Sequence, residues 1–163
     1  MSYVWEQSEL NTLWLKKCLD QKLKDNNIQI WNTEINDNKM CKNYRIFKES
    51  LRLEPYLTKL DFSDRVSLSK FRCGNHKLPV IVSIYDNNTN SKICKECDRN
   101  ELGDEFHYLF VCPKFNEVRK LHIKKYYYTR PNTIKMFQLF DNNNLKSLTK
   151  LAKFVKIIML HFS

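Results

Sequence analysis

The stretch CKECDRNELGDEFHYLFVC, residues 94–112, contains two cysteines at C-x2-C spacing, followed by a histidine and a third cysteine. One tight turn can point the sulfur atoms of Cys94 and Cys97 inward, and His107 and Cys112 then complete a tetrahedron. Three thiolates and one imidazole leave no open position for water or substrate. The pattern therefore predicts a structural Zn²⁺ site with the ligands Cys94, Cys97, His107 and Cys112.

The same residue types also occur as buried core residues, which is the alternative interpretation of these four. The convergence of four ligands within one short segment favours the metal site. His107 and Cys112 cannot share one face of an ideal helix, since five residues rotate the chain by about 140°. We therefore expect His107 in the last turn of a helix and Cys112 just beyond it, where Pro113 bends the chain. Whether Cys73 and His76 join a second metal site stays open.

The composition suits one folded domain. The chain has 163 residues, of which 42% are apolar and 13% aromatic. Two glycines and four prolines leave few residues for the tight turns of sandwiches and barrels. We predict a mainly α fold with a short strand or hairpin, a small zinc-stabilised helical domain with a Cys-Cys-His-Cys knuckle. The single domain over 1–163 has a helical part at 1–79, a strand and zinc knuckle at 80–113 and a basic helical part at 114–163.

Apolar side chains at helical spacing predict several helices, and the first two are expected to feed one core. The helix that begins at Ser63 should end at Gly74, because glycine adopts the left-handed conformation common at helix C-termini. The β-branched run at 80–85 predicts one strand. The predicted helices lie at 10–19, 28–35, 43–51, 63–74, 115–126, 134–140 and 145–162.

The basic charge is concentrated in the last third of the chain. Residues 113–163 contain 11 Lys/Arg and two Asp/Glu, whereas residues 1–112 contain 17 and 16. A localised excess suits a phosphate backbone or an anionic surface, and a solvated lysine-rich face is the alternative. The predicted nucleic-acid-binding residues are Lys114, Arg119, Lys120, Lys124, Lys125, Arg130, Lys146, Lys150 and Lys153.

Neither a signal sequence nor a membrane-spanning segment is expected. The start MSYVWEQSEL has acidic and polar residues where a signal peptide needs a basic and apolar run. The longest apolar candidate, 157–160, is far shorter than the ~20 residues of a spanning helix. The six cysteines are interpreted as thiols or metal ligands. We therefore expect an intracellular protein, nuclear or cytoplasmic, without a membrane partner.

Four segments occur in a recognisable order: NYRIFK (43–48), LSKFRCGNHKLPV (68–80), ICKEC (93–97) and GDEFHYLFVCPKF (103–115). Together they resemble the region after the polymerase in reverse transcriptases of non-LTR retrotransposons, which ends in a similar Cys-Cys-His-Cys zinc motif. The resemblance covers the chain from residue 43 onward, and 1–42 only loosely. It implies binding of RNA or DNA beside a polymerase, in support of target-primed reverse transcription.

The chain departs from that family at several positions. Ser83 and Ile84 stand where the family carries a Gly-Arg pair, and Lys92 stands where it carries an arginine. The sequence YDNN at 85–88 lacks the carboxylates of a polymerase metal site. We therefore expect a detached or degenerate C-terminal portion of such a protein, with a separate reverse-transcriptase polypeptide as its protein partner.

Two functional hypotheses follow. The first is a zinc module that binds RNA or single-stranded DNA, with Phe106, Tyr108 and the tyrosines at 126–128 as candidates for base stacking. For Phe106 and Phe110 a core position is favoured. The alternative is a structural or protein-interaction module whose apolar C-terminal turn docks on another chain. No enzymatic activity is predicted, and the acidic runs at 98–101 and 104–105 are interpreted as surface or capping groups.

Overall fold

The structure is a computed structural model that describes residues 12–41, 43–48, 50–86 and 92–163. Where the sequence predicts one domain over 1–163, the structure divides the chain into two compact units, Met1–Asp37 and Asn38–Ser163. The division agrees with the burial pattern, because the described residues of the first unit include no buried side chain. The metal ligands and the predicted basic residues all belong to the second unit.

The first unit contains one long helix, α1 (Thr12–Asp37). The prediction of two short helices in this region, 10–19 and 28–35, is wrong, since α1 continues without a break through residues 20–27. Its apolar side chains point in all directions around the axis instead of forming one stripe, and large ones such as Leu13, Trp14 and Leu23 are exposed. The start of the first predicted helix, at 10–11, lies outside the described residues.

The second unit is built from short helices that pack on one long C-terminal helix. Asp61, Asn132 and Asn144 accept backbone N–H groups as N-caps of three of these helices. Gly74 has φ of 68°, which confirms its predicted left-handed conformation after a helix C-terminus. The helices are α2 (Tyr44–Phe47), α3 (Pro55–Lys59), α4 (Phe62–Arg72), α5 (Pro79–Asp86), α6 (Asn116–His122), α7 (Lys125–Tyr128), α8 (Thr133–Phe140) and α9 (Leu145–His161).

The strand predicted at 80–85 is wrong, because this segment forms α5. Pro79 occupies the first helical position, where its fixed φ and missing N–H are both tolerated. Ile81 and Ser83 of α5 are buried. The Ser83 hydroxyl donates a hydrogen bond to the Val80 carbonyl, one turn earlier in the helix. Burial against the rest of the unit therefore overrides the β-propensity of the sequence.

The core lies between α4 and α9. Leu68 and Phe71 of α4 are fully buried, and α9 contributes Leu148, Ala152 and Val155. These three lie on one face of α9, which thus presents an apolar stripe to the core. One charged group is buried at the edge of this core: the Arg72 guanidinium pairs with Glu54 at 2.6 Å and lies over the rings of Tyr44, Tyr56 and Phe140.

The short β-structure lies in the segment that carries the first two metal ligands. Ile93 and Leu102 form an antiparallel bridge, flanked by hydrogen bonds from Cys94 N to Glu101 O and from Gly103 N to Lys92 O. Within the described ranges this is the sole β-bridge. The observed fold is thus mainly α with one short hairpin, which confirms the predicted fold class.

Candidate metal centre and nucleic-acid interface

The four predicted ligands come together at one point. Their donor atoms all lie within 4.8 Å of one another, so the group can hold a metal ion. The Sγ atoms of Cys94 and Cys97 are 3.7 Å apart, and those of Cys94 and Cys112 are 4.0 Å apart. The Cys97 Sγ atom lies 3.5 Å from His107 Nε2.

These separations fit a tetrahedral zinc centre. With Zn–S bonds of about 2.3 Å, two sulfur ligands of a regular tetrahedron are about 3.8 Å apart. With a Zn–N bond of about 2.1 Å, a sulfur and a nitrogen ligand are about 3.6 Å apart. The Glu96 backbone N–H also donates to Cys94 Sγ at 3.4 Å and so holds this sulfur in the turn. The donor set and its spacing therefore suit Zn²⁺.

A π-helical turn, His107–Val111, resolves the spacing of the last two ligands. In this turn the Cys112 N–H donates to the His107 carbonyl at 2.8 Å, a hydrogen bond across five residues. An ordinary helix would rotate Cys112 away from His107, whereas the wider turn brings both side chains to one side. The bend at Pro113 alone, as predicted from sequence, is therefore an incomplete explanation.

Two carboxylates orient the ligand histidine. Glu101 Oε2 lies 2.9 Å from His107 Nδ1, so it holds the ring proton there and leaves the Nε2 lone pair facing the cysteines. Asp104 Oδ1 accepts the His107 backbone N–H at 2.9 Å, as a capping group does. The capping role predicted for the acidic run at 104–105 is thus confirmed for Asp104. The interpretation of Glu101 as a surface group is incomplete, because its carboxylate also contacts the ligand histidine. Glu101 lies in the hairpin six residues before His107, and this short spacing is the sequence signal that could have indicated the contact.

Burial strongly affects the third cysteine. The pKa of Cys112 is raised to about 12, mainly by burial and in smaller part by the neighbouring Cys94 and Cys97, against a backbone hydrogen bond from Lys114 that lowers it. Three clustered thiolates without a cation would repel one another. A divalent cation at their centre compensates this repulsion and stabilises the thiolate forms.

Arg119 does not belong to the surface on which the sequence placed it. Its side chain is 2% exposed, and its guanidinium donates to the carbonyls of Tyr108, Leu109 and Cys112 at 3.1, 2.6 and 2.8 Å. The Tyr108 and Leu109 carbonyls belong to the π-helical turn and have lost their usual helical donors, whereas the Cys112 carbonyl follows the turn and also accepts the Phe115 N–H at 3.4 Å. Burial lowers the pKa of Arg119 to about 10, so it remains charged at neutral pH. Arg119 is therefore a structural support of the metal site and leaves the predicted nucleic-acid-binding set.

Five of the nine predicted basic residues line a single groove of 520 Å³, here called the basic groove. No acidic side chain is among the described residues that line it. Lys120 pairs with Glu117 at 2.6 Å beside the groove. The lysines of the basic groove come from two segments that are distant in sequence. Lys120, Lys124 and Lys125 belong to α6 and the start of α7, and Lys146 and Lys150 belong to α9.

The other predicted basic residues lie elsewhere. Lys114 is 3.9 Å from Glu96, beside the metal ligands. Arg130 is exposed in the turn between α7 and α8, and its backbone has φ of 50°. Lys153 is exposed on α9, one turn beyond Lys150, and is not among the lining residues of the basic groove.

The aromatic side chains predicted to stack on bases also divide into core residues and residues that line the basic groove. Tyr108 is fully buried and Phe110 is 3% exposed, so both belong to the core. Phe106 packs edge-on against Phe110, with ring centroids 5.3 Å apart, which confirms the preferred core position. Tyr127 and Tyr128 are half-buried and line the basic groove. These two tyrosines are thus the aromatic residues placed beside the lysine cluster.

Cys73 and His76 do not converge on a second metal site. Cys73 is exposed, and His76 Nε2 lies 3.0 Å from the buried Glu105 carboxylate, which also accepts a hydrogen bond from Asn43. In the part of the chain that the structure describes, the Cys3His group is the one cluster that could hold a metal ion.

A comparison with protein-family models, curated proteins and solved structures finds no match to this chain. The resemblance to reverse transcriptases of non-LTR retrotransposons therefore stays a prediction. Among the helices of the described residues, none combines the length and the apolar character that crossing a membrane requires.

Proposed function

We propose that this chain is a zinc-stabilised module that binds single-stranded RNA or DNA through the basic groove. One observation carries the proposal: two segments distant in sequence bring five lysines to one groove without an acidic side chain among its described lining residues. Such a cluster repels itself in the free protein. A polyanion that enters the groove relieves this repulsion and releases its own condensed counterions.

Two further features of the basic groove suit a nucleic-acid strand. The N-cap Asn144 and the first-turn residues Lys146 and Ser147 of the 17-residue helix α9 line the groove, so the positive end of the helix dipole adds to the lysine charges. Tyr127 and Tyr128 place aromatic rings beside the same lysines. Aromatic stacking needs unpaired bases, which favours a single strand over a duplex.

The proposed metal is Zn²⁺, held by Cys94, Cys97, His107 and Cys112. Three thiolates and one imidazole at tetrahedral spacing are typical of structural zinc sites. When bound, the ion would cross-link the hairpin to the π-helical turn and thereby support the adjoining core. Because this ligand set is closed, we propose no catalytic step for the chain.

The four family-like segments support a more specific origin. We infer a detached C-terminal part of a reverse-transcriptase-like protein of a non-LTR retrotransposon, acting beside a separate polymerase polypeptide. An upstream polymerase reading frame in the genome, interrupted by a stop or a frameshift, would be the expected observation. A genomic neighbourhood without any such frame would contradict this origin while leaving the proposed binding untouched.

The binding proposal is tested by fluorescence anisotropy with labelled single strands of RNA and DNA, of about 20 nucleotides, over a salt series. The test variant replaces Lys124, Lys146 and Lys150 by Gln. It should bind more weakly, and the slope of log affinity against log salt should become shallower by about 2, from about 0.7 for each lost phosphate contact.

A matched control replaces three lysines away from the basic groove, Lys70, Lys77 and Lys156, by Gln. This control removes the same charge and should retain most of the affinity and slope. An equal loss in both variants would show that binding reflects diffuse charge instead of the groove. If the parent protein does not bind either strand at low salt, the nucleic-acid function is wrong.

A further inference from the structure

A second groove of the same unit has a different chemical character. This apolar groove, of 490 Å³, lies between α4, α5 and the end of α9. Val66, Ile81 and Phe162 contribute to its apolar lining. Tyr85 and Leu160 also line it, and their side chains are 68% and 64% exposed. Large apolar side chains with this exposure next to an open groove are typical of a binding surface.

The rim of the apolar groove is basic. Lys70, Lys77 and Lys156 line it, and no aspartate or glutamate side chain is among its described lining residues. Lys156 donates to the Ser63 hydroxyl at 2.9 Å, whereas Lys70 and Lys77 are exposed beside the groove. An occupant with apolar side chains flanked by carboxylates would complement both the floor and the rim.

One wall of the apolar groove, the end of α9, contacts the segment that carries the candidate metal ligands. The Phe162 ring lies 4.8 Å from the ring of Tyr108, the residue after the ligand His107. The neighbouring His161 Nε2 atom is 2.9 Å from the Glu96 carboxylate, which lies between the first two cysteine ligands. The last turn of α9 is thus held in place by the same segment that gathers the donor atoms.

We propose that the apolar groove binds one amphipathic helix of a partner protein, whose apolar stripe is flanked by acidic side chains. The walls are helices, and a helix presents anchors at i, i+3 or i+4, and i+7 that can enter a groove between helices. A nucleic-acid backbone fits this surface poorly, because its phosphates would face an apolar floor. The proposal uses a different surface from the basic groove and is independent of the proposed nucleic-acid function.

Two displayed peptide libraries test the proposal on the full-length, metal-loaded chain. Both contain helical peptides of about 18 residues with Leu, Met, Phe or Trp at four anchor positions. One library carries Glu and Asp beside the anchors, and the other carries Lys and Arg. The acidic library should yield binders, and fluorescence anisotropy then measures the affinity of a selected peptide for each variant of the chain.

Separate variants test the apolar lining of the groove, at Leu160, and its basic rim, at Lys70 and Lys77. Leu160→Glu and the double change Lys70→Glu with Lys77→Glu should each weaken the acidic peptide by about tenfold or more. The double variant should instead gain affinity for the matching basic peptide, a reversal that general damage to the fold would not produce. Leu145→Glu, at an exposed site outside the apolar groove, and Lys124→Glu with Lys146→Glu are the controls and should change the affinity little.

Three results would overturn the proposal. The first is an acidic library that yields no better binders than the basic one, and the second is a set of acidic binders whose affinity does not change with Leu160→Glu. The third result is a dimer of the chain alone, detected by sedimentation, that the change Leu160→Glu abolishes. The occupant would then be a second copy of this chain, and the partner helix would be wrong.

Discussion

The metal knuckle, residues 92–112, buries its functional atoms, whereas the basic groove keeps its functional atoms in solvent. Cys94, His107 and Cys112 are buried, and a carboxylate or a backbone group orients the ligand side chains. The lysines of the basic groove are exposed and come from helices that are already held by the core. Changes in the knuckle should therefore alter folding, and changes in the basic groove should alter binding alone.

Removal of the metal should have the largest effect. Structural zinc contributes about 10–16 kcal/mol of apparent binding free energy in small zinc domains, against a total stability of about 5–15 kcal/mol for a typical domain. Chelation, or the change Cys112→Ser, should unfold most of the second unit. Metal analysis and circular dichroism measure this, and a metal-free protein with an unchanged thermal transition would contradict the site.

Loss of the buried arginine should come next. Arg119→Met leaves the buried carbonyls of Tyr108 and Leu109 without their donor and removes one of the two hydrogen bonds to the Cys112 carbonyl, and each unsatisfied group costs about 1–3 kcal/mol. We expect a loss of about 3 kcal/mol or more in the free energy of unfolding by denaturant. The neighbouring Lys120→Met is the matched control, because Lys120 is exposed, and it should cost about 0.5 kcal/mol at most. Equal effects of the two changes would show that Arg119 is not a structural support.

Replacement of Glu101, the carboxylate that contacts the ligand histidine, should have a smaller effect and should change the metal affinity alone. Glu101→Gln weakens the acceptor of the His107 Nδ1 proton, and changes of this kind cost about 10- to 100-fold in metal affinity. Competition with a chromophoric chelator measures the affinity. Asp98→Asn, in the same hairpin, is the control and should leave it unchanged. An unaltered affinity of the Glu101→Gln variant would mean that the 2.9 Å contact does not orient the ring.

Changes in the basic groove should have only a small effect on stability. Replacing Lys124, Lys146 and Lys150 by Gln removes like charges from one exposed surface. The free energy of unfolding should change by no more than about 0.5 kcal/mol, because surface substitutions rarely cost more. Thermal unfolding of the metal-loaded protein is the measurement. A large destabilisation would show that these side chains support the fold.

The smallest effect is expected from pH. Burial lowers the pKa of His122 below 6.5, and the charges of Lys150 and Lys153 lower it further, against a hydrogen bond from the His122 ring to the Lys150 backbone that raises it. The unfolded chain then binds more protons than the folded chain between the lowered pKa and about 6.5. Stability should therefore fall as the pH drops below about 6.5. Denaturation at several pH values should show a weaker decline for His122→Gln, and an identical decline would exclude His122 as a source.

Much of the candidate metal site could be predicted from the sequence. Cys94, Cys97, His107 and Cys112 are close together along the chain, so local geometry alone restricts how far apart their side chains can lie. The turn that joins the last two ligands could not be predicted. Its five-residue hydrogen bond is favourable here because Arg119, from the next helix, satisfies the carbonyls that the turn leaves free.

Residue types and short spacings alone predict the helical class, the four candidate metal ligands and the concentration of positive charge after residue 112. These features depend on residue type and on short spacings, which survive in any packing of the chain. Tertiary contacts determine that 79–86 forms a helix, that Arg119 is buried, and which lysines share a groove. Each of these depends on contacts between segments distant in sequence, and burial in such contacts outweighs local propensity and determines which charges reach solvent.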